Sequence, residues 1–385
     1  MIYFDNASTT KMDESVAEKM KESFEINFAN PSSLHSLGFD VEKRIRKSRE
    51  DIATSLSVKA DNLFFVPSGT IANNAVIRSA ILNNKNRLDK VNIVISSIEH
   101  ASLQQAALNN DIEFRYVKVD KYGFIDENDL LDKVDENTIL VSIIHVNNEI
   151  GSINNIQKLS RLVKDKNSKV LFHSDGVQAF KKINIELSGI DFYTISSHKI
   201  NGPKGIAALF IRNPKNFHPS YFGGGQEKGL FSGTENTYAI IGFAQAVKLN
   251  NNADEIERLN KLLRDKLSKV EGSRIISPEE NVSRYILNVY IEAIGAEILL
   301  HYLEMDGIYI STGSACSKGS DSKVLKEIGL SDSEIKGCIR ISFDRNTNQN
   351  QVEMFLNKLK EKVEMIRGIL KRWNGLLELV LASWC

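Results

Sequence analysis

The chain reads as an α/β protein built on a mainly parallel sheet with helices on both faces, and three observations carry that reading. Short apolar runs alternate with helical patterns along the chain, as they must when parallel strands are joined by crossover helices. Four polar residues of chemically useful types, His100, Asn148, Asp175 and Lys199, each come after one of those runs, where an open α/β sheet places its ligands. At 385 residues the chain exceeds the usual size of one hydrophobic core, so two domains are expected.

Each element follows from local pattern. Residues 41–56 and 72–82 repeat apolar positions at helical spacing, while 91–96 and 114–119 are β-branched and aromatic runs bounded by polar turns. A longer run at 139–146 reads as the next strand, 156–164 as its crossover helix, and 170–173, 192–195 and 207–211 as further strands. The polar helix around 254–269 opens the second domain. Its strands are expected at 283–290 and 339–343, and a closing helix at 351–370. No internal repeat or low-complexity segment interrupts this order.

The chemistry gathers around Lys199, in Ser196-Ser197-His198-Lys199-Ile200-Asn201-Gly202-Pro203. An amine at the end of a strand, beside a Gly-Pro turn that admits close approach, suits a Schiff base with an aldehyde. A solvated surface lysine is the plain alternative. Asp175 ends an apolar strand and could keep a pyridine nitrogen protonated, or equally cap a helix beginning after it. His100 could stack on such a ring or sit in the core as a satisfied histidine. Pro67-Ser68-Gly69-Thr70-Ile71 opens a helix whose first amides and Thr70 hydroxyl suit a phosphate, although the same turn also serves as an ordinary cap.

Together these residues belong to a longer ordered set. The set comprises Tyr3-Phe4-Asp5-Asn6-Ala7-Ser8, Asn30-Pro31-Ser32-Ser33-Leu34-His35, Gly69-Thr70, Glu99-His100, Asn147-Asn148-Glu149, Asp175 to Gln178 and the Lys199 block. It continues with Gly223-Gly224-Gly225-Gln226-Glu227, Ser232-Gly233-Thr234, Gly313-Ser314-Ala315-Cys316 and Ile339-Arg340-Ile341. In this the chain resembles the cysteine desulfurases, fold-type-I transferases that depend on pyridoxal 5'-phosphate (PLP). The resemblance implies a large domain over 11–250 with a mainly parallel seven-stranded sheet. A smaller α/β domain from 1–10 and 251–385 would carry a mobile loop at about 311–323.

It also implies roles. Lys199 would carry the cofactor aldehyde, Asp175 would pair with the pyridinium nitrogen, and His100 would stack on the ring and move protons. Asn148 and Gln178 would contact the phenolic oxygen. Gly69, Thr70, Ser196 and His198 would hold the phosphate, with Thr234 coming from the second subunit of a homodimer. Arg340, assisted by Asn148, would grip the carboxylate of L-cysteine through its planar fork. Cys316 would be the nucleophile that takes the sulfur and hands it to an acceptor protein, an iron–sulfur scaffold or a tRNA-thiolation enzyme. The residues around Cys316 agree, for Ser, Gly and Lys neighbours mark an exposed loop thiol rather than a core one. A selenocysteine lyase or related PLP lyase, and a non-catalytic protein that keeps the fold, are the two alternatives.

Composition fits a cytoplasmic enzyme. The 49 acidic and 49 basic residues balance, which gives no electrostatic footprint for nucleic acid or membrane. The three cysteines, Cys316, Cys338 and Cys385, form neither a disulfide framework nor a metal-ligand spacing. The opening Met1-Ile2-Tyr3-Phe4 leads at once into a polar turn and does not read as a secretory leader. Ile71, Lys228 and Phe231 depart from the family's usual residues, and the loss of Arg at Phe231 is expected to weaken substrate or interface contacts. The apolar tail 373–385 is too short for a membrane span and reads as a packed helix.

Overall fold

The computed structural model describes residues 1–219, 221–312 and 322–382, the last ten of these by their backbone alone. Seven strands pair in the order Leu63–Val66, Ala207–Ile211, Phe192–Ser196, Leu171–Asp175, Thr138–Ser142, Asn92–Ser96 and Glu113–Val117. The five from Phe192–Ser196 onward run parallel, and Ala207–Ile211 is antiparallel to both of its neighbours. Asn92–Ser96, Thr138–Ser142 and Phe192–Ser196 are buried at every residue, as strands covered on both faces must be. Alternation sends Val94, Val141 and Tyr193 to one face, against Val41, Ile45 and Ile52 of the helix Ser36–Ser55. Ile93, Ile95 and Leu140 face the other way, onto Ala72 and Val76 of the helix Gly69–Leu82.

A separate core forms around a four-stranded antiparallel sheet ordered Ser311–Thr312, Cys338–Ser342, Ile286–Ile291 and Ser273–Ile275. Ile286, Val289, Ile339 and Ile341 pack there against Phe355 and Leu359 of the last helix, Gln349–Ala382. The first residues of the chain join this core. Ile2–Tyr3 pair in parallel with Ile308–Tyr309, and the Phe4 ring meets Phe343 and Phe355 edge-on at 5.2 and 5.5 Å. Truncating so buried a ring costs about 3–5 kcal/mol, so the N-terminus is a fixed part of this core.

Several elements differ from the sequence expectation. The 139–146 run is strand only to Ser142. The 283–290 strand begins at Ile286, because Ser283 first bonds its N–H to the Gly151 carbonyl. No helix follows Asp175; residues 176–183 make successive turns, and Lys181 adopts a left-handed φ of 60°. Leu63–Val66, four residues stopped by Pro67, is a strand that periodicity could not reveal. The closing helix continues past residue 370 through the apolar tail to Ala382. Among the described residues no helix is long and apolar enough to cross a membrane.

Candidate active site

The carboxyl ends of the parallel strands open onto a cavity of about 270 Å³. It is lined by Gly69, Thr70, His100, Asn148, Asp175, Gln178, Ser196, His198, Lys199 and Arg340, and also by Ala7, Ser8, Asn73 and Ser102. Every expected site residue within the described chain, except Thr234, is therefore brought together. Lys199 ends the short turn Ser197–Lys199 that follows its strand, and its Nζ donates to the Ala7 and Ser8 carbonyls at 2.6 and 2.7 Å.

Asp175 is the last residue of Leu171–Asp175 and is 5 % exposed. Its Oδ2 accepts from Asn73 Nδ2 at 2.7 Å, and its Oδ1 from the Val177 N–H at 3.0 Å. Asn73 gives its other amide hydrogen to Ser102 Oγ at 2.9 Å. His100 caps the helix Ala101–Leu108, and its Nδ1 receives the Ser102 N–H at 3.1 Å and lies 2.9 Å from Ser102 Oγ. Because Nδ1 accepts the Ser102 N–H, it carries no proton, which assigns the proton of the ring to Nε2 and lets the Ser102 hydroxyl donate to Nδ1. A continuous polar chain thus runs from His100 to Asp175. Behind it Glu99 is buried, and burial, reinforced by the Asp175 charge, lifts its carboxyl well above the usual range.

Arg340, 1 % exposed, lies on Cys338–Ser342. Its Nη2 donates to Asp5 Oδ1 at 2.8 Å and to Ser8 Oγ at 2.7 Å, and its Nη1 to the Asn148 carbonyl at 3.0 Å. Its buried Nε–H finds no acceptor among the described residues. Ser68, which also lines the cavity, caps Gly69–Leu82, accepting from the Ile71 N–H at 3.3 Å. This helix start brings partial positive charge to the cavity. A Cβ built on Gly69 would stand 3.1 Å from Val177 Cγ2, so the bare backbone there is a close fit. His198 bonds Thr9 Oγ1 at 3.1 Å, and burial, with Lys199 beside it, lowers its pKa to about 4.

Outside the cavity, Thr234 is exposed and lines a different hollow with Pro67, Ile71 and Phe231. Phe231 is a core residue whose ring stands 5.8 Å from that of Phe217, and Lys228 pairs with Asp61 at 2.6 Å. Cys316 and Cys385 lie outside the described residues. The buried Cys338 thiol is pushed up to about 12 by desolvation, which makes it a poor nucleophile. Sequence reading missed Asn73 and Ser102. Only Asn73 left a signal, as one of two successive asparagines in a helix interior that disfavours them.

The cavity therefore offers an amine, a buried carboxylate aligned by an amide, a flat imidazole, a helix start suited to phosphate and a buried guanidinium. That donor set fits PLP and an amino acid. Residues 2–355 match the family model described as Aminotransferase class-V, and the chain belongs to this family of PLP-dependent enzymes. Among its relatives is the cysteine desulfurase IscS of Dictyoglomus turgidum, 35 % identical over 96 % of each chain. Among solved structures, a NifS-like protein is 33 % identical with a TM-score of 0.88, covering 94 % of this chain and 99 % of its own. A structure titled SspA in complex with cysteine is 29 % identical with a TM-score of 0.80, covering 90 % of this chain and 100 % of its own.

Proposed function

We propose that this protein is a PLP-dependent cysteine desulfurase that moves the sulfur of L-cysteine onto Cys316 and from there to an acceptor protein. The observation that carries the reading is the meeting of Lys199, Asp175 and Arg340 in one cavity, in a chain similar along most of its length to named cysteine desulfurases. When bound, PLP supplies an electron sink for the charge left at the substrate α carbon. Lys199 would hold the aldehyde end, Asp175 would face the ring nitrogen, and the start of Gly69–Leu82 with Thr70, Ser196 and His198 would take the phosphate. Arg340 binds the substrate carboxylate. The Lys199 amine and His100 carry protons to and from the α and β carbons.

Cys316 completes the transfer. The Cβ–S bond of the substrate breaks and an S–S bond forms, so that L-cysteine and the Cys316 thiol become L-alanine and a Cys316 persulfide. Both flanks of the 313–321 segment support this assignment. Before it, Ser311 pairs with Arg340 across the sheet; after it, Ser322 Oγ donates to Glu149 at 2.5 Å, next to Asn148. The protein works as two domains, 11–250 and 1–10 with 251–385, a division supported by the separate cores. It works as a homodimer in the cytoplasm. Phe28, Leu34, Phe39 and Phe222 are exposed apolar side chains of the kind a second copy would cover, and Thr234, exposed outside the cavity, would serve the phosphate site of that second copy.

Incubating the purified protein with PLP, L-cysteine and dithiothreitol tests the reading. Equal amounts of alanine and sulfide are expected, with both abolished in Cys316→Ser. Alanine formed at an undiminished rate by Cys316→Ser would instead support a lyase that needs no protein thiol, and no alanine from the wild type would support the non-catalytic alternative.

A further inference from the structure

Lys182 has no part in the assignments above, yet it stands directly behind the cavity. It lines a smaller hollow with Lys199, Tyr285, Phe343 and Asp344, so that Lys199 borders both spaces. The Lys182 Nζ donates to Gln178 Oε1 at 3.0 Å and lies 5.8 Å from the centre of the Tyr285 ring. The other end of the same amide, Gln178 Nε2, donates to the Ala7 carbonyl at 2.7 Å. Gln178 is 4 % exposed, so an amide left unmatched there would be costly.

The two ends of a glutamine amide differ little in shape, and only their partners decide which way it faces. A carbonyl can only accept, so Ala7 requires the nitrogen. An amine brings hydrogens in either charge state, so Lys182 suits the oxygen. With one anchor the amide plane could still turn about that bond; with two it is fixed. One Nε2 hydrogen then remains for the cavity that Gln178 lines. We propose that Lys182 is a positioning residue for the cofactor, holding Gln178 so that its amide N–H is presented to the phenolic oxygen of PLP. This rests on the reading of the cavity as a PLP site.

The charged groups facing Lys182 agree with an amine that works as a donor rather than as an ion-pair partner. Lys199 and Arg340 oppose its protonation and Asp344 favours it, and burial, the largest influence, brings its pKa down to about 7. The neutral amine still has hydrogens for Gln178. A lysine kept only for its charge would not need this geometry.

The test compares apo-protein titrated with PLP, followed by visible absorbance, for wild type, Lys182→Met, Lys182→Gln, Gln178→Ala and the Lys182→Met/Gln178→Ala pair. The expected loss of PLP affinity is about tenfold for Lys182→Met, in line with one buried hydrogen bond. Lys182→Gln, which keeps an N–H donor without the charge, is expected to recover most of it. In the double variant the loss should equal that of Gln178→Ala alone, because the two side chains act as one unit. The pH midpoint of the bound cofactor's visible band should move in Lys182→Met, and in the double variant it should match that of Gln178→Ala alone. If Lys182→Met proves unstable beside Tyr285, Lys182→Ala takes its place. Unchanged affinity in the Lys182 variants, or losses that add in the double variant, would overturn the proposal while leaving the PLP site intact. A wild-type protein that takes up no PLP would contradict the site reading and this inference with it.

Discussion

At the scale of single residues, the polar groups that line the cavity are largely held by one another. Lys199 is the amine that lines the cavity at a strand end, and Lys199→Ala should abolish the visible absorbance of the PLP-loaded protein; a retained band in that variant would place the attachment elsewhere. Asp175 is aligned by Asn73, so Asp175→Ala should lower kcat by at least about a hundredfold, the scale of losing one preorganised charge contact. Steady-state kinetics showing near-normal turnover would reduce Asp175 to a turn residue. Asn73→Ala should lower kcat in the same direction but less, since the Val177 N–H still holds one carboxylate oxygen. His100, Asn148, Asp175 and Lys199 were legible as candidates because each follows an apolar strand-like run, where an open α/β sheet places its ligands. Asn73 was not legible in its role, since its contact with Asp175 joins positions 102 residues apart and exists only once the fold has formed.

At the scale of elements, the turn after Leu171–Asp175 illustrates what local pattern cannot decide. A carboxylate before apolar residues predicts a capped helix, but Asp175 spends one oxygen on Asn73 and Gly176 brings the backbone against Tyr193. A Cβ on Gly176 would lie 2.0 Å from the Tyr193 ring, and that ring is fixed by a hydroxyl bond of 2.7 Å to His145 Nδ1. Gly176→Ala should therefore destabilise the protein by about 1–3 kcal/mol or more, read as a lowered midpoint in denaturant. Stability equal to wild type would show that the ring can move aside. The strand Leu63–Val66 was hidden for a related reason. Its four residues are all buried, so they show no alternation, and only pairing with Ala207–Ile211 makes them a strand.

For the whole molecule, the alternation of strands and helices was enough to predict a parallel sheet and a second region. The return of residues 2–7 to the C-terminal core depends on contacts no local reading contains. Burial of two histidines in the large core gives the molecule a pH signature. His145 and His173 are lowered from 6.5 to about 4, both chiefly by desolvation. The unfolded chain then binds more protons than the folded one between those values. Their contribution to stability is full above about pH 6.5 and is lost as pH falls through about 4. Glu149, raised from 4.5 to about 7 chiefly by burial, and Glu99, raised well above its ordinary range by burial, act oppositely, their contributions fading as pH rises, while His198, lowered to about 4, adds to the histidine side. Calorimetry should show Tm falling as pH drops from 6.5 to 4.5, and a flat profile would indicate that these imidazoles charge in place. The central claim, that this cavity feeds sulfur to Cys316, is tested most directly by peptide mass spectrometry after exposure of the PLP-loaded protein to L-cysteine without reductant. One added sulfur on the peptide containing Cys316, absent from Lys199→Ala, is the predicted result; an added sulfur on the Cys338 or Cys385 peptide, with Cys316 unmodified, would contradict it.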